Sequence, residues 1–167
     1  MAKKLLVLCM AAIMAVAALV AGCGGDQKAA SDNKVLKVGT NADFAPFEFQ
    51  DENGKEYQGF DMDLIRAIGE EMGYKVEISN IQFDGLIPAI QAGNIDVAIT
   101  GMTINEERKQ NVLFSDPYYK SGLSIIVAKD NNDIKTFQDL KGKKVAVQIG
   151  TTSAAEVNKI GGVEVKE

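Results

Sequence analysis

Between Val35 and Thr100 the chain twice passes from a short β-branched run into a helix-period segment closed by glycine, and this rhythm leaves few folds open. Val35–Thr40 alternates apolar and polar residues as a strand does. From Asp61 to Met72 the residues Met62, Leu64, Ile65, Ile68 and Met72 recur at helical spacing, and Gly73 stands where a helix C-cap belongs. Lys75–Ser79 reads as the next strand, Gly85–Gln91 as a short helix ended by Gly93, and Asp96–Thr100 as an apolar strand of the buried kind. Strand, helix and strand in this order predict an α/β fold with parallel strand pairs. Before the first helix, the Asn41–Phe47 loop carries Phe44 and Phe47 around Pro46, and Asp51–Gly54 is a turn that returns the chain as a hairpin. The later chain continues in kind. An extended run, Tyr118–Ala128, leads to a short helix at Thr136–Leu140, a strand at Lys144–Gln148 and a helix opened by Thr151-Thr152-Ser153.

Chemistry concentrates just beyond the Asp96–Thr100 strand. Gly101 breaks the strand, Asn105 is a helix cap, and Arg108 follows in the first turn. Unpaired N–H groups at a helix start and a guanidinium that grips two carboxylate oxygens at once make this stretch a candidate cradle for a small carboxylate, with Gly101 and Thr103 beside Arg108. An exposed Arg108 paired with Glu106 or Glu107 is the plainer alternative. Thr151 and Thr152 open a second turn of similar design, with simple helix capping as the competing reading. Asp61 and Asp63 suit the dipole of the helix they begin, so capping is expected of them rather than catalysis.

The N-terminus predicts export. Lys3 and Lys4 precede an apolar run from Leu5 to Val20, and Val20-Ala21-Gly22-Cys23 closes it with small residues before a cysteine, so residues 1–22 read as a signal peptide. The alternative is an uncleaved membrane anchor, since Leu5–Gly22 is almost long enough to span. Residues 23–33 then form a polar tether. With Lys3 and Lys4 removed, 16 basic and 23 acidic residues remain, a net charge of −7 that argues against nucleic acid as a partner. The two cysteines are Cys9 and Cys23, and histidine is absent. This chain therefore supplies no Ser-His-Asp or Cys-His machinery, no His-ligated zinc and no disulfide, and no cofactor or metal is expected.

Five segments together resemble one family. Gly59-Phe-Asp-Met-Asp-Leu-Ile-Arg-Ala-Ile-Gly-Glu-Glu-Met72 resembles the signature of the family 3 bacterial solute-binding proteins, the extracytoplasmic receptors of polar amino acid ABC importers. Gly39–Phe49, Phe83–Lys109, Phe114–Gly122 and Asp139–Ala154 match in order, and Val20–Cys23 is similar to the lipobox of bacterial lipoproteins. The resemblance implies a type II periplasmic-binding-protein fold: two α/β lobes joined by a hinge, lobe one at residues 34–120 and a hinge strand with part of lobe two at 121–167. It also implies a lipid on Cys23, which would hold the protein at the outer face of the membrane. Its partners would be a free L-amino acid and a transporter permease.

By the same resemblance, Arg108 clamps the ligand α-carboxylate with the Thr103 backbone, and the Gly101 carbonyl and Thr103 hydroxyl accept from the α-ammonium. Phe44 and Phe83 wall the ligand side chain, core packing being their alternative. Asn41, Thr100, Gln148, Thr151 and Thr152 complete the implied site. Asn41 departs from the Asp of several relatives that bind glutamine or basic amino acids, which weakens a purely cationic preference. Family members also extend further than Glu167, so the second lobe is expected to be incomplete, the aspartate that meets the ammonium from that lobe to be missing, and binding to be weak. Cyclohexadienyl dehydratases, some lytic transglycosylases and amino acid sensory domains share the fold. No Asp or Glu is placed in the cleft by motif, so binding is expected rather than catalysis.

Overall fold

The computed structural model describes residues 34–167. The expected signal peptide, the expected lipidation at Cys23 and the expected tether fall outside the described residues.

Strand β1 (Lys34–Thr40) is the centre of a three-stranded parallel sheet, flanked by β5 (Tyr74–Asn80) and β6 (Val97–Ala98). Lys34 faces Tyr74 and Thr40 faces Asn80 across one ladder, and Val38 faces Val97 across the other. Asp96–Thr100 forms only two ladder residues, but main-chain bonds from Asp96 to Lys37 and from Ile99 to Gly39 carry the pairing past both ends. Each return to the sheet is made through a helix, α1 (Phe60–Glu71) before β5 and α2 (Leu86–Gln91) before β6.

Successive residues of a strand point to opposite faces, so β1 builds two cores. Val38 packs with Met62, Ile65 and Ile99 beneath α1, while a side chain at Gly39 would run into Ile95 and Leu86 of the α2 cluster. Gly69 lets α1 lie close on the sheet, because a Cβ there would overlap the Val76 side chain. Of the apolar face read from Asp61–Met72, Met62 and Ile65 are buried and Leu64 partly so, whereas Ile68 and Met72 are exposed, because the face that meets the sheet runs through Gly69 instead.

An antiparallel hairpin, β2 (Asp43–Phe44), β3 (Glu48–Gln50) and β4 (Tyr57–Gln58), leads into α1. The Asp51 carboxylate accepts from the Lys55 and Glu56 amides, at 2.6 and 3.1 Å, and closes the expected turn. Farther along, β7 (Lys144–Ala146) and β8 (Glu164–Lys166) pair in parallel across α4 (Thr152–Asn158). The helix expected at Thr136–Leu140 is a 3-10 turn at Phe137–Leu140, held by a reciprocal cap between Thr136 and Asp139. Tyr118–Ala128 enters no strand ladder among the described residues.

Candidate functional site

In this sheet, loops leaving the carboxyl ends of parallel strands converge, as ligand-binding loops of open α/β sheets do. Asn41 follows β1, Phe83 follows β5 and Gly101 follows β6, while Gln148–Thr152 follows β7.

Arg108 lies in a single helical turn, α3 (Glu106–Lys109). The Asn105 side chain caps it by accepting the Arg108 main-chain N–H at 2.8 Å. So short a helix has little dipole, and the cradle therefore depends on the guanidinium rather than on the helix start. Arg108 as a whole is only 7% exposed. Its Nη1 donates to the Thr103 carbonyl at 2.8 Å, its Nη2 donates to the Gly150 carbonyl at 2.9 Å, and it stacks 5.3 Å from the centre of the Phe83 ring. Glu106 pairs with Lys109 instead, and among the described residues no carboxylate lies within salt-bridge distance of Arg108. Burial pulls the Arg108 pKa below its ordinary value. Arg108 is thus buried and hydrogen-bonded to carbonyls, with the Glu107 charge nearby but outside salt-bridge distance, which differs from the exposed ion pair of the alternative reading.

The other predicted residues divide into those that face the opening and those that brace it. Phe44 is 55% exposed, stacks on Phe47 at 5.6 Å and lies beside Gly101, which holds φ at 55°. Phe83 is half-buried and belongs to the α2 core as well as to the Arg108 stack, so its two readings hold together. Thr103 is exposed. Asn41 is buried, and its Oδ1 accepts from Gln148 Nε2 at 2.6 Å. The Thr100 hydroxyl accepts from the Asn41 amide at 3.0 Å and donates to Glu48 Oε1 at 2.9 Å. The Thr151 hydroxyl caps α4 by accepting from the Ala154 amide and donates to the Gln148 carbonyl, so it braces its own turn; Thr152 is half-buried at the helix start.

Behind Gly101 stands a group that sequence reasoning missed. Asp61 is fully buried; its Oδ2 accepts from the Gly101 amide at 2.9 Å and from the Tyr118 hydroxyl at 2.8 Å. The capping expected of Asp61 is therefore corrected, since its carboxylate is spent on a distant loop, while Asp63 stays exposed beside Arg66. Glu48 is buried next to it. The one signal was a glutamate between Phe47 and Phe49, a charge set into an apolar run.

Against known proteins, residues 36–162 match the model of the bacterial extracellular solute-binding proteins, family 3. The chain belongs to that family. This family 3 chain is 39% identical over 150 residues to the arginine-binding extracellular protein ArtP of Bacillus subtilis, covering 89% of itself and 57% of ArtP. An ancestral arginine-binding protein bound to arginine is 56% identical, with a TM-score of 0.77 over 79% of this chain and 59% of that one. An ancestral amino acid-binding protein, a precursor of cyclohexadienyl dehydratase, is 48% identical, with a TM-score of 0.75 over 79% of this chain and 60% of that one. The fold is the type II periplasmic-binding-protein fold. The family is extracytoplasmic, and the family 3 chain spans somewhat more than half the length of these relatives.

Proposed function

We propose that the chain is the substrate-binding part of an ABC importer receptor and takes a free L-amino acid with a glutamine-like or basic side chain. The observation that carries this reading is the buried Arg108 guanidinium without a carboxylate partner among the described residues. Two of its five N–H groups are held by carbonyls, and the remainder offer an α-carboxylate its match. The Gly101 carbonyl and Thr103 hydroxyl take the α-ammonium. Phe44 and Phe83 flank the side chain, where aromatic faces suit an aliphatic stem or a guanidinium alike. Asn41, Gln148 and Thr152 supply the remaining polar contacts, with Thr100 and Thr151 bracing them.

Residues 34–120 act as one lobe and 121–167 as the hinge strand and part of the second, meeting through Gln148 on Asn41 and Gly150 on Arg108. Closure of the two on the ligand is the working motion. Binding rather than catalysis is favoured because Glu48 and Asp61, the acids at this end of the sheet, are buried, each with one oxygen tied to the protein's own Thr100, Gly101 or Tyr118. An NMR titration of the chain with L-amino acids up to millimolar concentration tests the reading. Saturable shifts for arginine or glutamine, with the amino acid recovered unchanged, are expected. No saturable shift with any amino acid, or chemical conversion of one, overturns it.

Outside the described residues, we propose that Cys23 is the mature N-terminus and carries the lipid that holds the receptor beside its permease. Mass spectrometry of the membrane-bound protein is expected to find an acylated Cys23. Finding Met1 intact would exclude it.

A further inference from the structure

Two buried carboxyls lie together beneath the Gly101 turn, and each has one oxygen served and one bare. Glu48 is 1% exposed and Asp61 fully buried. Glu48 Oε1 accepts from the Thr100 hydroxyl, and Asp61 Oδ2 accepts from the Gly101 amide and the Tyr118 hydroxyl. Glu48 Oε2 and Asp61 Oδ1 are buried without a hydrogen-bond partner. Both acids converge on one turn: the Gly101 amide donates to Asp61, and Glu48 Oε1 lies 3.9 Å from where a Cβ on Gly101 would stand. A buried acceptor left bare is costly, and two such acceptors side by side are both satisfied by a single proton.

We propose that Glu48 and Asp61 share one proton, Glu48 donating from Oε2 to Asp61 Oδ1, and that this pair positions the Gly101 turn. The direction of donation follows from the surroundings. Asp61 already accepts two hydrogen bonds and Glu48 one, so the proton is assigned to Glu48. Two charges here would repel each other in a dry pocket, because the titratable groups facing Glu48 are Asp61 from α1 and Tyr118 from the segment after α3, neither of them a cation. Among the described residues, no lysine or arginine lies within salt-bridge distance of either acid. Burial, followed by the Asp61 charge, pushes the Glu48 pKa from its ordinary 4.5 up to about 8. Burial and Asp61 also push the Tyr118 hydroxyl up, so Tyr118 remains a donor. The Gly101 amide hangs on the carboxylate this proton relieves, so the proton sets the turn that follows β6.

The sign of the pH effect is fixed. Because the folded chain holds this proton more tightly than the unfolded chain, stability falls as pH rises from about 4.5 toward 8 and then levels. The test is a pH titration of the full chain carrying 13C-labelled side-chain carboxyls. One glutamate carboxyl carbon is expected to stay protonated at neutral pH and titrate near pH 8, to vanish in Glu48→Gln, and to titrate at lower pH in Asp61→Asn. The Gly101 amide is expected to shift with the same midpoint in the native chain and to stay flat through that range in Glu48→Gln. Every glutamate carbon titrating between pH 4 and 5 in the native chain overturns the proposal, whether or not either variant folds. A Gly101 amide that ignores the transition removes the positioning role.

Discussion

Arg108→Lys is expected to lower affinity for the preferred amino acid by about ten- to a hundredfold, far more than Lys109→Ala. A charge-assisted hydrogen bond is worth roughly 1.5–3 kcal/mol, and lysine replaces a planar fork with one point charge. The fork does three things at once in this structure: it holds the Thr103 carbonyl, holds the Gly150 carbonyl and stacks on Phe83. An ammonium can serve one of these positions well, and it is more strongly hydrated than the guanidinium it replaces. Lys109 is the proper control because it lies next in sequence, is exposed and, among the described residues, pairs with Glu106 alone. Titrating both variants with the same amino acid decides the matter. Equal affinities would remove Arg108 from the ligand and leave it as a tie between two loops.

Gly59→Ala is expected to destabilise the fold by at least about 2–3 kcal/mol, enough to threaten a chain of marginal stability. Gly59 holds φ at 117°, a conformation closed to residues with a side chain, and a Cβ there would overlap the Phe47 carbonyl oxygen. That carbonyl and its neighbour cap α1. The Phe60 amide donates to the Pro46 carbonyl at 3.0 Å and the Asp61 amide to the Phe47 carbonyl at 2.9 Å. Backbone from the hairpin thus does the work that a Ser or Asp cap does elsewhere, and glycine lets the two segments approach. Gly54→Ala separates strain from crowding, because Gly54 has φ of 65° with open space around it and should lose only about 1–2 kcal/mol. Urea denaturation of the two variants is the measurement. A loss at Gly59 no larger than at Gly54 would show that the hairpin yields.

Periodicity made the sheet and its helices readable because burial here is one-sided and regular. Met62 and Ile65 face the core from α1, and Gly73 and Gly93 take the left-handed conformation that ends each helix. The run at Tyr118–Ala128 reads as extended in sequence, but a ladder needs a partner strand, and none pairs with it among the described residues. At the site, Arg108 was visible as chemistry while its burial was not, since surface and buried arginines look alike beside Glu106 and Glu107. Asp61 was harder still. An acid in a first turn is usually a dipole partner, and only the folded chain brings Gly101 and Tyr118 to it across 40 and 57 residues. Thr100 and Thr151 show the converse: hydroxyls placed by motif near a ligand can be consumed by the protein's own groups, the Glu48 carboxylate and Asn41 amide for Thr100 and the main chain for Thr151.

The bond from Arg108 to the Gly150 carbonyl bears on selectivity. An incoming carboxylate meets a guanidinium that is already engaged, so occupancy at that edge is an exchange in which the protein's own carbonyl is the rival ligand. A tethered rival acts at an effective concentration on the order of millimolar when its linker is short and flexible. Acetate, which has nothing but its carboxylate to offer, must win that exchange alone. An amino acid brings an ammonium and a side chain to the same contest, and those contacts decide it. If Arg108 takes the α-carboxylate as proposed, an internal carbonyl of this kind would handicap simple organic acids without any group that repels them.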